Sequence, residues 1–387
     1  MRLSRLTLQN WKNFKNAEAS LARRAFLIGP NASGKSNFLD ALRFLREVAT
    51  IGLGQATQAR GGVSLIRCLA ARESPSIAIE VSLTSDTGED AWSYRIEFNQ
   101  DANRTPVVRT ETVRDLTKSR TIIDRPDRAD QEDPLRLTQT ALEQIAANKD
   151  FRPIAEFFST ISYQHLVPQV VRDPKSFSPS PVANDPYGRD LLLRIYSTDA
   201  AVRDARLKRI AYVLRQAVPQ LQGLEVHMDA RGSPHLIGRY EHWRPHGAKQ
   251  NESQFSDGTL RLFGLMWAML EGSGPILIEE PELSLHPEVV RALPQMLVRL
   301  QEEVRRMKRR KGFADRQVII STHSPELLSD TGITADEVIR IEPSFEGSRL
   351  ISADDSDRTM MASGLSAAEV LLPRSTPIQG HFRFDFQ

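Results

Sequence analysis

Cysteine is almost absent. Cys68 stands alone in 387 residues, so no internal disulfide can form and no cysteine-built zinc site exists. Long apolar runs are missing as well, none approaching the roughly 20 residues that cross a bilayer. The N-terminus, Met1-Arg-Leu-Ser-Arg-Leu-Thr-Leu, alternates apolar and polar residues and lacks the continuous apolar core of a signal peptide. No charge of one sign dominates: 51 basic against 49 acidic side chains leave +2, which excludes a uniformly basic, histone-like binder but not a local basic patch. Lysine is scarce, 10 of those 51, a mark of GC-rich composition. Internal repeats and sustained heptads are absent too, which excludes solenoids and long coiled coils. What remains is 40% hydrophobic and 26% charged, the profile of a globular protein with no membrane role, expected in the cytoplasm.

Against those absences, one stretch carries chemistry early. Residues 25 to 28 (Ala-Phe-Leu-Ile) form a short apolar run suited to a buried parallel strand. Gly29, Pro30, Asn31, Ala32, Ser33, Gly34, Lys35 and Ser36 follow and satisfy G-x-x-x-x-G-K-[ST]; Asn37 then opens a run of helical character. Strand, glycine loop and helix N-terminus stand in the order a phosphate-binding loop (Walker A) requires. Glycines let backbone N–H groups turn inward around phosphates, and the helix N-terminus adds partial positive charge. Lys35 would reach the β and γ phosphates of ATP, and the Ser36 hydroxyl would bind Mg²⁺.

The second half narrows the class. Residues 275 to 282 read Pro-Ile-Leu-Ile-Glu279-Glu280-Pro-Glu282, an apolar strand ending in paired carboxylates. In such sites the first carboxylate holds Mg²⁺ and the second activates the attacking water. Glutamate stands where aspartate is usual at the first position, which makes the metal role of Glu279 the less secure of the two; Glu280 is the candidate general base. Upstream, Ser256, Asp257 and Gly258 precede an apolar helix. Either Ser256 or Asp257 can cap it, and the same turn stands where an ABC-type signature belongs, facing the γ-phosphate of ATP held by a second subunit. Finally, Val318-Ile-Ile-Ser-Thr-His323 reads as a strand ending in a histidine, at the end of an α/β strand where ligands bind.

These motifs, with Leu-His286-Pro287 after the carboxylates and Leu-Gln-Asn-Trp-Lys-Asn-Phe-Lys-Asn before the first strand, resemble the AAA-family ATPases of the ABC/RecF/OLD-like group. The resemblance covers roughly residues 1 to 50 and 250 to 345. It implies a P-loop α/β fold of the ABC-type ATPase head, with an antiparallel β subdomain and a helical insertion, working as an ATP-stabilised head-to-tail homodimer. His323 would then be the switch histidine that senses the γ-phosphate. The implied function is an ATP-hydrolysing switch in DNA maintenance or phage defence that controls a separate effector or nuclease. A scaffold that holds a partner with little turnover is the alternative. A transporter subunit is disfavoured, because Ser36 and Ser256 stand 220 residues apart. The 64 residues after His323 are too few for the Toprim nuclease domain of OLD enzymes, so no nuclease of its own is expected.

The expected organisation is an ATPase core from residues 1–50 and 220–387, a β subdomain over 51–124, and a mainly helical insertion over 125–219. Four alternating segments between Ser76 and Asp124 read as an antiparallel meander. Helices are expected at 137 to 148, 151 to 159, 188 to 196 and 199 to 217, with a mobile Pro/Ser-rich loop at 174–187. Three glutamines, Gln55, Gln58 and Gln164, are candidates for a Q-loop; Ile161-Ser-Tyr-Gln164-His165 reads as a returning core strand and favours the last. The cluster Asp354, Asp355 and Asp357 reads as a solvated turn. The basic residues Arg305, Arg306, Lys308, Arg309, Arg310 and Lys311 suit a solvated helix end; the sharper reading is a sequence-blind contact with DNA phosphates.

Overall fold

The computed structural model describes residues 1–71, 74–176, 185–241, 248–307 and 316–375. They form two units, one from Met1–Ser159 with the chain from Ser321 onward, the other Thr160–Ile320.

The first unit opens with β1 (Arg2–Trp11), β2 (Phe14–Ser20) and β3 (Arg24–Ile28), then the phosphate-loop helix Lys35–Gln58, then β4 (Ile77–Thr84), β5 (Asp90–Gln100), β6 (Pro106–Asp115) and β7 (Arg120–Arg125). Six of these strands make an antiparallel sheet in the order β2-β1-β4-β5-β6-β7. Period-two alternation places Leu6, Leu8, Ile79, Tyr94, Ile96, Phe98 and Val113 inside. The phosphate-loop helix packs there through Phe44, whose ring lies 5.1 Å from Trp11 and 5.4 Å from Phe98. The helix breaks at Gly52 (φ 87°, ψ 161°), where the Glu143 carboxylate accepts the Leu53 N–H at 2.8 Å.

The expected helix over 137 to 148 does not form. A 3-10 turn at Pro134–Thr138 stands at its start, and beyond it the buried Glu111 carboxylate accepts the N–H groups of Ala141 and Leu142 at 2.7 and 3.1 Å. A side chain thus takes donors that a helix would turn toward its own carbonyls. Helix Arg152–Ser159 closes this part of the unit.

The second unit begins with β8 (Ser162–Gln164), followed by helices Leu191–Ser197 and Ala200–Leu214. Strands β9 (Leu221–Met228), β10 (Pro234–Tyr240) and β11 (Ala248–Asn251) form an antiparallel sheet. Helix Asp257–Leu270, β12 (Ile276–Glu279) and helix Pro287–Met307 complete it. Strand β12 pairs in parallel with β8. The three long helices pack around buried Ile210, Leu214, Phe263, Trp267, Leu293 and Leu300.

Strand β13 (Val318–Thr322) crosses from the second unit into the first, where β14 (Val338–Glu342) pairs in parallel with β3 and antiparallel with β15 (Arg349–Ser352). The acidic cluster after β15 is a helix start, not a solvated turn. Asp354 caps helix Asp355–Ala362 with a reciprocal capping box to Asp357, and Asp357 is fully buried, paired with Arg374 at 2.6 Å. The acids are there because carboxylates satisfy first-turn N–H groups. Residues 177–184 of the Pro/Ser-rich loop, and the side chains of the basic cluster Arg305 to Lys311, lie outside the described residues.

Candidate functional site

In the first unit β3 runs into the loop that ends at the N-terminus of helix Lys35–Gln58. Ala32 (φ 61°) and Gly34 (φ 111°) take left-handed backbone, which turns the loop into a concave nest. At Gly29 a Cβ would stand 2.5 Å from the Ile341 carbonyl oxygen, and at Gly34 2.1 Å from Asn13 Nδ2, so both positions need glycine. The cap position is Gly34, which brings no side-chain hydrogen bond to the helix start; helix N-termini attract anions. Lys35 is buried, its Nζ donating to the carbonyls of Gly29 (2.9 Å) and Pro30 (3.1 Å). Among the described residues the buried Ser33 hydroxyl has no hydrogen-bond partner, an unmet polar group in this loop.

Residues the sequence reading passed over hold this loop. Asn13, between β1 and β2, donates through Nδ2 to the Ser33 carbonyl and to Ser348 Oγ, both at 2.7 Å. Ser348 Oγ donates to the same carbonyl at 2.6 Å, and Asn37 Nδ2 donates to Asn13 Oδ1 at 2.8 Å. The local signal for Asn13 was its place in the opening Trp-Lys-Asn-Phe hairpin; Ser348 had none. Below the loop, Asp40 accepts from Arg60 at 2.7 and 2.9 Å and pairs with Lys12 at 2.7 Å, while Arg60 also pairs with Glu47. Burial alone would raise the Asp40 carboxyl, but the Arg60 hydrogen bonds and charge, helped by Lys12, bring it down to about 2. His323 also belongs to the first unit; it is exposed directly after β13, next to Ser324, which caps the following turn.

In the second unit β12 ends at Glu279, and Glu280 sits at φ 43°. Left-handed backbone on a non-glycine residue costs about 1–3 kcal/mol and clusters at functional sites. The Tyr163 hydroxyl donates to Glu279 Oε2. Beyond the carboxylates the chain turns through Leu283 N–H to Glu280 carbonyl (3.2 Å) and Ser284 at φ 64°. Gly258 lies against that turn, where a Cβ would meet the Ser284 carbonyl at 2.7 Å. Of the two capping choices it is Ser256 that caps helix Asp257–Leu270, accepting the Thr259 N–H at 3.1 Å, with its own residue exposed. Asp257 is instead gripped by Arg172 (2.6 Å) and Gln169 (3.1 Å), and Arg172 also donates to the Phe255 carbonyl at 2.7 Å. Tyr163, Gln169 and Arg172 carry no motif that could have marked them. Gln164 lies at the end of β8, opposite Ile278; Gln55 and Gln58 lie exposed in the last turn of the phosphate-loop helix.

The chemistry of these donors fits a nucleotide with Mg²⁺. In the first unit the loop, Lys35 and the Ser33 hydroxyl suit phosphate oxygens and the Ser36 hydroxyl is a hard oxygen donor; in the second unit, taken by itself, the Glu279 carboxylate is another. Among the described residues no group of three or more His, Cys, Asp and Glu could hold a metal. Mg²⁺ keeps waters and phosphate ligands and needs only one or two protein oxygens. Among the described residues no helix is long and apolar enough to cross a membrane.

A family model described as "AAA domain, putative AbiEii toxin, Type IV TA system" matches residues 24–329. No curated protein matches the chain. Among solved structures the chain is similar to an Smc head bound to the C-terminal winged-helix domain of ScpA, at 14% identity and TM-score 0.56, over 93% of this chain and 100% of that one. It is also similar to an Smc head domain with an extended coiled coil bound to the C-terminal domain of ScpA derived from Pyrococcus furiosus, at 11% identity and TM-score 0.52, over 94% and 98%. At such identities the likeness is one of fold, that of an ABC-type P-loop ATPase head.

Proposed function

This chain belongs to the AAA-domain family of AbiEii type, and from that premise we propose that it is an ATP-binding, slowly ATP-hydrolysing switch that works as a homodimer. The observation that carries the reading is the glycine loop: left-handed Ala32 and Gly34, a helix start with glycine at its cap position, and the buried Lys35. Lys35 holds the β and γ phosphates, with the backbone of Gly29 to Ser36 and Asn37 around them. Ser36 and Glu279 hold Mg²⁺, which neutralises phosphate charge. Glu280, held in a strained backbone, takes the proton of the attacking water. His323 senses the γ-phosphate. Ser256 and Gly258 come from the second chain, with the Asp257 carboxylate fixing their turn through Arg172 and Gln169.

In such a dimer the bound phosphates belong to the interface, so hydrolysis loosens it and resets the switch. The Smc heads, solved with parts of ScpA bound, support a role in which the two states engage a separate protein; the setting proposed for it is phage defence or DNA maintenance, in the cytoplasm. A DNA contact through phosphates is part of the proposal. The scaffold reading is favoured by one feature, glutamate at position 279 engaged by Tyr163, which suits low turnover.

Glu280→Gln should abolish turnover while retaining ATP, and should elute as a dimer in size-exclusion chromatography with ATP. A variant that stays monomeric at saturating ATP refutes the sandwich. Unchanged turnover relative to wild type refutes Glu280 as base.

A further inference from the structure

Tyr163 has no role in the motifs, though it precedes the Q-loop candidate Gln164, yet its hydroxyl meets the first of the paired carboxylates. The geometry follows from the pleat. In the parallel β8–β12 pair, Tyr163 is opposite Leu277 and Gln164 opposite Ile278. Leu277 and Glu279 are two apart on one strand, so they share a face with Tyr163. The tyrosine ring spans the diagonal, a reach that a short polar side chain lacks.

The register of this pair is itself fixed from the far end. The Arg316 side chain is buried, and its guanidinium donates to the Gly274, Ala268 and Glu271 carbonyls and to Ser162 Oγ. The Ser162 N–H donates to the Pro275 carbonyl at 2.9 Å. Residues 162 and 274 to 275 are thereby tied where the two strands begin, so Tyr163 cannot slip relative to Glu279.

We propose that Tyr163 is a positioning residue that orients the Glu279 carboxylate and biases the site toward Mg²⁺ against Ca²⁺. The proposal rests on the ATPase reading above and adds to it the choice of cation. Glutamate has one more rotatable bond than the usual aspartate, and a hydrogen bond to Oε2 removes the added freedom. It also occupies one of the two oxygens. Gripping a cation through both would set the ion beside the hydroxyl proton on Oε2, so the two compete for that oxygen's electron density. Ca²⁺ uses bidentate carboxylates readily, whereas Mg²⁺ keeps its waters and takes one oxygen. Tyr163 therefore penalises the larger ion more.

The test titrates Mn²⁺ into the full-length protein with a non-hydrolysable ATP analogue, follows bound Mn²⁺ by electron paramagnetic resonance, and competes it with Mg²⁺ or Ca²⁺. Tyr163→Phe should shift the Ca²⁺/Mg²⁺ competition ratio toward Ca²⁺ by about tenfold, the order expected for one charge-assisted hydrogen bond. In a Glu279→Asp background, where the shorter side chain no longer reaches the hydroxyl, the same substitution should shift it no further. A merely structural tyrosine would change melting temperature in both backgrounds and the ratio in neither. An unchanged ratio with Mn²⁺ binding intact, or equal shifts in both backgrounds, overturns the proposal alone. Failure of the wild type to bind Mn²⁺ with the analogue overturns the ATPase reading and this proposal with it. Should Tyr163→Phe not fold, Tyr163→Leu carries the test: it also lacks the hydroxyl, leaves the Glu279 ligand intact and must move the ratio the same way.

Discussion

Asn13 occupies the turn between β1 and β2, and its amide joins three parts of the first unit: the Ser33 carbonyl, the Ser348 hydroxyl and the Asn37 amide. It also abuts Gly34, leaving no room for a Cβ there. Removing the amide frees the nest to sag without emptying the core. Asn13→Ala should therefore lower affinity for a fluorescent ATP analogue about fivefold, the worth of one or two neutral hydrogen bonds, with melting temperature within a few degrees of wild type. Unchanged affinity would remove Asn13 from the site. The same scale explains what a sequence pattern can and cannot find. Gly29, Gly34, Lys35 and Ser36 lie within eight consecutive positions, and their chemistry depends only on local backbone. The partners of Asn13 include a residue 335 positions away, and no spacing rule reaches that far.

At the scale of elements, the phosphate-loop helix is held by charge as well as by its apolar face. Asp40 lies in its second turn, and Arg60 reaches back to it from beyond the helix end. The Asp40 carboxyl is held at about 2 against an ordinary 3.8. A lowered folded-state value means that the contribution is fully present above about 4 and is lost as pH falls through the interval down to about 2. At pH 6 the carboxylate should contribute about 2 kcal/mol. Chemical denaturation should find Asp40→Asn less stable than wild type by that order at pH 6, with the gap narrowing at pH 3. A gap that widens in acid would reverse the assignment. The elements misread from sequence fail for a related reason. Residues 137 to 148 have helical composition, but the carboxylate of Glu111, on a distant strand, takes the backbone donors of Ala141 and Leu142. Asp354 to Asp357 look solvated until Arg374 buries one of them.

At the scale of the whole molecule, the α/β ABC-type head expected from the order of motifs is the fold that Smc heads share with this chain over most of its length. The proposed dimer makes a prediction that no single-chain site would share. Lys35→Ala removes the phosphate lysine but leaves the signature; Ser256→Arg blocks the signature but leaves the nest. Each variant alone should be inactive. Mixed in equal amounts they should recover ATPase activity, because the heterodimer holds one complete site from the nest of one chain and the signature of the other. No recovery on mixing, with each variant folded, would deny the composite site.

The sequence alone determined the glycine loop before helix Lys35–Gln58, the paired carboxylates after β12, the Ser256 turn and the strand before His323, because each is a short segment whose backbone is set by near neighbours. Tertiary structure decided which residues stand behind them. Asn13 and Ser348 reach the loop, and Tyr163 and Arg172 reach Glu279 and Asp257, only once the hairpin, β8 and the helices have folded into place. Hydrogen bonds act over about 3 Å, and only folding brings residues so remote in the chain to that distance.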